Sequence, residues 1–135
     1  MSAELAVQKA IRARMIATPE ITGLVPASSI LDRNARPAPD PSIILGEDQA
    51  VDEDRVARNV LRVYSTIHIW KKEVGLTGAK AIAAAIRTAV NTGRPALDSP
   101  YSCADFKVSS ARFLRDPDGE TAHGVVNIET LVSEG

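Results

Sequence analysis

Two histidines, one cysteine and a group of carboxylates are the side chains of this chain whose types could do chemistry. His68 and His123 are capable of acid–base work or metal ligation, yet neither has a neighbour at a ligand spacing such as His-x-x-x-His or Cys-x-x-Cys. Without such a motif each reads as a half-buried or surface polar residue. Cys103 stands between Ser102 and Ala104 in an expected loop, with no helix N-terminus or basic cluster to form a thiolate, and reads as free and unreactive. Glu47, Asp48, Asp52, Glu53 and Asp54 put five carboxylates on one expected loop, the ligand type a hard cation wants. Their spacing lacks the alternation and central glycine of an EF-hand, so a solvated or partner-facing loop fits better, neutralised locally or across a subunit boundary by Arg55, Arg58 and Arg62. Gly75-Leu76-Thr77-Gly78-Ala79-Lys80 has the glycines of a phosphate loop without the Gly-Lys-Ser/Thr order, which leaves a strand exit and a helix start. No serine lies in a Gly-x-Ser-x-Gly turn. The expectation is a protein with no catalytic, cofactor-binding or metal constellation.

The elements that carry these residues follow from periodicity. Ser2 is a good N-cap, Val7, Ala10, Ile11 and Met15 recur at helical spacing, and Pro19 must end the run, which predicts a helix from Ala3 to about Ala17. Six prolines and glycines punctuate Thr18 to Pro41, so that segment reads as a connection with at most one brief strand at Ile30-Leu31. Ser42 to Leu45 is a short strand that Gly46 should terminate, followed by the polar loop Glu47 to Asp54. The clearest strand comes next. Leu61, Val63, Ser65, Ile67 and Ile69 point to the core, while Arg62, Tyr64, Thr66, His68 and Trp70 point to solvent or a partner. Lys71 and Lys72 lead out of it, and Ala79, Ile82, Ala83, Ile86 and Val90 mark a second helix closed by Asn91 to Gly93. After a loop from Arg94 to Cys103, the runs Asp105 to Leu114 and Ala122 to Val132 form a hairpin. Its turn has Pro117 to preset φ, Asp116 to accept from the turn backbone, and Gly119 for the residue with positive φ. The expected fold class is α+β: a mainly antiparallel sheet of about four strands with two helices packed on it, in the order α-β-β-α-β-β.

Length and charge bound what such a fold can do. The 135 residues suffice for one core, hence one domain over 1–135. Sixteen Lys and Arg against seventeen Asp and Glu give a net charge of −1, so no global field draws the chain to nucleic acid or an acidic membrane. The apolar runs are too short for a membrane span, and aromatic residues, at 4 % of the chain, offer few stacking platforms for single strands. One unpaired cysteine and no signal-like start point to a reducing cytoplasm.

Five segments, in order, carry a resemblance to a known family: the opening helix Ala-Glu-Leu-Ala-Val-Gln-Lys-Ala-Ile, the run Pro41 to Asp48, the strand ending His68-Ile69-Trp70, the helix around Ala79 to Ile82, and the hairpin Arg112 to Gly119. Together they resemble the tail completion, or tail terminator, proteins of long-tailed phages, prophages and gene transfer agents. The resemblance implies a non-enzymatic, ring-forming virion protein, typically a hexamer, that caps the tail tube in the particle neck and joins it to the head connector. Its implied partners are further copies of itself, the tail tube protein and the connector or stopper protein, with DNA passing through the lumen. The subunit interface is expected at Glu47, Asp48, Asp52, Glu53, Asp54, Arg55, Arg58, Arg62, Tyr64, His68, Trp70, Lys71 and Lys72. Two other readings stand beside it: a head–tail stopper or adaptor of the same particle, and a small metal- or ligand-binding domain using the acidic loop.

Overall fold

A computed structural model describes residues 2–32, 39–53 and 59–135. Along the chain run α1 (Ala3–Ile16), α2 (Pro19–Thr22), a 3-10 turn at Ala27–Ser29, β1 (Ile30–Leu31), β2 (Ser42–Asp52), β3 (Val60–Lys72), α3 (Thr77–Val90), β4 (Tyr101–Arg115) and β5 (Thr121–Glu134). The strands form one five-stranded sheet in the order β1-β2-β3-β5-β4. β1 is parallel to β2, and every other pairing is antiparallel. Fold class and the central α-β-β-α-β-β order agree with expectation, with a fifth strand, a parallel pair and a third helix added.

Both long helices lie on one face of the sheet, α1 over β2 and β3, α3 over β3, β5 and β4. α1 starts where the Ser2 hydroxyl accepts from the Leu5 N–H at 3.1 Å, and it buries Ala3, Val7, Ile11 and Met15 along one stripe. α3 buries Ala79, Ile82, Ala83, Ile86, Ala89 and Val90, its alanines letting it sit close to the strands. Against them stand Ile43 and Leu45 of β2, Val63, Ile67 and Ile69 of β3, and Ala122, Val126, Ile128 and Val132 of β5. The extra turn α2 forms because Pro19 presets φ at the first helical position, and the buried side chains of Ile21 and Val25 hold it down. Arg14 ties the helices together: its Nη1 donates to the carbonyls of Ala89 at 2.8 Å and Gly93 at 3.0 Å and to Thr92 Oγ1 at 3.0 Å, at the C-terminal end of α3.

Two local expectations are corrected. Gly46 does not end its strand: β2 bulges between Leu45 and Asp48 and then continues along β3 to Asp52, so Glu47 to Asp52 is strand and not loop. Acidic residues are poor strand formers, but the β3 ladder gives their backbone its hydrogen bonds, and that outweighs local preference. β4 begins at Tyr101, which places Cys103 in a strand. In the hairpin turn Asp116 Oδ2 accepts from the Asp118 N–H at 3.5 Å, as expected, and a second carboxylate, Asp118, adds the tighter hold. It accepts from the backbone N–H of Glu120 at 2.8 Å and of Thr121 at 3.0 Å, and from the Thr121 hydroxyl at 2.8 Å, which holds its pKa below the ordinary carboxylate range. Gly119, at φ +73°, has the positive φ the turn needs.

Candidate assembly face

Among the described residues the second face of the sheet carries no helix, and alternation along the strands decides what it shows. β3 contributes Arg62, Tyr64, Thr66, His68 and Trp70. The β3–β5 register brings Glu129 opposite Tyr64, Asn127 opposite Thr66, Val125 opposite His68 and His123 opposite Trp70. On the far side, Lys107 of β4 is opposite Glu129 and Arg112 opposite Val125.

Two side-chain rows cross this face. In the first, Glu47 Oε1 lies 2.9 Å from His68 Nε2, and His68 Nδ1 lies 2.8 Å from His123 Nε2. His123 in turn stacks on Trp70, with ring centroids 3.8 Å apart and planes 9° from parallel. Gly46 makes the first link possible, because a Cβ there would stand 2.7 Å from His68 Cδ2 and 2.9 Å from Nε2. Ile44 and Val125, the cross-strand neighbours of His68, are buried although they belong to the helix-free face. The hydrogen bond from His68 keeps the Glu47 carboxyl below the ordinary value. Burial, and then the charge of His68, push the His123 pKa below 6.5, against an opposing pull from Asp116.

In the second row Arg62 Nε meets Glu53 Oε1 at 2.7 Å, Arg62 Nη1 meets Glu129 Oε1 at 2.7 Å, and Lys107 Nζ approaches Glu129 Oε2 at 3.9 Å. The two carboxylates hold the guanidinium proton more tightly still. Between the rows, Thr66 donates to Asn127 Oδ1 at 3.0 Å and Asn127 Nδ2 donates to Ser110 Oγ at 2.9 Å.

The expected interface residues are thus divided. Glu47, His68 and Trp70 come together, as do Glu53 and Arg62, and Tyr64 stands exposed between the rows. Asp48 and Asp52 lie opposite Ser65 and Leu61, on the other side of the strand, and are exposed. Lys71 and Lys72 face opposite ways: the stem of Lys71 lies against Gly78, while the Lys72 backbone N–H donates to Asp40 Oδ1 at 2.9 Å. Asp54, Arg55 and Arg58 lie outside the described residues. Gly78 does serve a helix start, because the Glu73 carboxylate accepts from its N–H at 2.9 Å and from that of Ala79 at 3.4 Å. His123, Asn127, Glu129 and Lys107 were missed as members of the face. Period-two alternation puts the first three on one side of β5, but their partners depend on a register the sequence does not state.

Among the described residues these side chains do not complete an acid–base or metal site. A carboxylate orienting a histidine is half of a general-base pair, but the other ring nitrogen of His68 faces an imidazole instead of a nucleophile. The groove of about 400 Å³ beside it, lined by Asp32, Ile44, Leu45, Gly46, Glu47, His68, Trp70 and His123, presents no hydroxyl or thiol. Glu47 and His123 occupy opposite nitrogens of His68, so one ion cannot reach all three, and among the described residues no cluster of His, Cys, Asp and Glu is suited to a metal. Cys103 is half-buried, and burial raises its pKa against the pull of Arg94 and Arg14. Among the described residues no helix is long and apolar enough to cross a membrane.

Fold and face together define a small α+β structural domain, with helices covering one side of a sheet and the other side left open. The model of the tail completion protein gp17 family matches residues 9–133, and the chain belongs to that family of structural phage tail proteins. A chain from the virion of a native gene transfer agent particle has the same fold, with a TM-score of 0.84 and 20 % identity over 100 % of both chains. The gp17 protein of bacteriophage SPP1 superposes at a TM-score of 0.63 with 17 % identity, over 95 % of this chain and 89 % of that one. No curated protein is matched by sequence.

Proposed function

We infer that this protein is a non-enzymatic subunit of a hexameric ring in the neck of a phage-like particle, either a phage or a gene transfer agent. The ring terminates the tail tube, joins it to the head connector, and lets DNA pass through its lumen. Family membership supports the setting. The observation that carries the ring is a pair of unlike edges on opposite sides of one sheet. Among the described residues, beyond its short pairing with β1, β2 is hydrogen-bonded only to β3, and its outer run bears Glu47, Asp48 and Asp52, with Glu53 next. At the other end β4, among the described residues, pairs only with β5 and bears Lys107, Arg112 and Arg115 against Asp105. A cyclic interface joins two different patches of the same subunit, and an acidic edge meeting a basic one satisfies that requirement. Within the subunit Arg62 is already neutralised by Glu53 and Glu129, and Lys107 lies 3.9 Å from Glu129, which leaves Arg112 and Arg115 as the complement of Asp48 and Asp52. A near-neutral chain also suits DNA in transit, because each neutralised phosphate would add affinity and slow passage.

Charge reversal tests this. With Arg112 and Arg115 both changed to Glu, the subunit should fold but not close a ring, and electron microscopy should show tubes of abnormal length unattached to heads. Adding the reciprocal change of Asp48 and Asp52 to Lys should restore closure. Rings from the first variant would overturn the edge interface. Tubes of normal length lacking heads would place the protein as stopper or adaptor instead.

A further inference from the structure

We propose that the row Glu47, His68, His123 and Trp70 is a proton switch on the helix-free face, closed while the two imidazoles share one inter-ring proton and opened when both become cationic. This inference concerns the subunit itself and does not rest on the ring. Proton counting carries it. The ionised Glu47 carboxylate can only accept, so His68 Nε2 bears a proton in the 2.9 Å contact, and neutral His68 then has a lone pair on Nδ1. The 2.8 Å contact therefore requires the proton on His123 Nε2. One further proton, taken from solvent, is accommodated: whichever ring becomes the imidazolium, a single N–H still lies between the two nitrogens. A second cannot be. Both facing nitrogens would then carry hydrogens at 2.8 Å, and two cations would stand with centroids 5.1 Å apart.

The surroundings decide which ring yields. His68 is held by Glu47 from β2, whereas His123 faces Arg112 of β4 and Asp116 of the β4–β5 turn. Asp32 lines the groove on the β1 side, and Asp40, Lys71, Lys72 and Asp116 line the neighbouring groove at Trp70. His123 is thus the ring expected to part, leaving Trp70 unstacked and exposing Ile44 and Val125. Above the second protonation the face presents a flat row of rings; below it, diverging cations over newly wetted apolar surface.

Trp70 is the single tryptophan and the chain has two histidines, so each partner can be observed directly. In the full chain at neutral pH, imidazole ¹⁵N resonances should show both rings as Nε2–H tautomers. As pH falls, Trp70 emission should hold steady through the first protonation of the pair and change with the second, while far-ultraviolet circular dichroism stays native. His68→Gln removes the like charge and should raise the His123 titration. Gly46→Ala alters no titratable group but forces His68 away, and should uncouple Trp70 emission from His123 protonation. The proposal is overturned if His68 is an Nδ1–H tautomer at neutral pH, if Trp70 emission changes with the first protonation of the pair, or if it is indifferent to the second. Should Gly46→Ala fail to fold, the His68→Gln shift and the tautomers still decide it.

Discussion

Replacing Arg14 by Ala should destabilise the subunit by about 2–3 kcal/mol, although no apolar core atom is removed. Its guanidinium spans from α1 to the end of α3, where Ala89, Thr92 and Gly93 present acceptors at 2.8–3.0 Å. A hydrogen bond from a charged donor contributes roughly 1.5–3 kcal/mol net. The three acceptors share one terminal nitrogen, and Thr92 and Gly93 are solvent-accessible, so the set amounts to roughly one strong bond, about 2 kcal/mol. Phe106, whose ring centroid lies 5.6 Å from the guanidinium carbon, adds about 0.5–1 kcal/mol of cation–π attraction. Urea unfolding followed by Trp70 emission would measure the loss as a lower midpoint at unchanged slope. Arg14→Lys should recover about half, since an ammonium still faces the helix terminus but sits on a shorter stem and loses the planar guanidinium at Phe106. A loss below about 0.5 kcal/mol for Arg14→Ala would refute the view that this bridge locks the two helices over the sheet.

Gly78→Ala, normally favourable at a helical position, should here destabilise by about 1–2 kcal/mol, because the new methyl meets the Glu73 carboxylate and the Lys71 stem that pack against the α3 start; thermal unfolding would check the sign. Arg62→Ala should cost about 1–2 kcal/mol by leaving Glu129, whose side chain is 15 % exposed, with only Lys107 at 3.9 Å; adding Glu129→Gln should recover most of it, readable by a double-mutant cycle.

The sequence alone determined α1, α3, the alternation of β3 and the closing hairpin, since each is written within one window. Helical spacing marks Val7, Ile11 and Met15, period two marks Val63, Ile67 and Ile69, and Pro117 with Gly119 dictates the turn. The order of these segments was also enough for the family resemblance, which the match over residues 9–133 bears out. Only tertiary structure decided the course of β2 beyond Gly46, because strongly acidic residues become a strand there only when β3 supplies the opposing ladder. The assembly face was hidden for the same kind of reason. His68 and His123 are 55 residues apart and Arg62 and Glu129 are 67 apart. What joins them is the β3–β5 register, set across α3 by burying Val63, Ile67, Val126 and Ile128 against the helices. A slip of one residue would turn His123 inward and Gly124 outward, so the core packing, not any local motif, places the imidazoles within hydrogen-bonding distance.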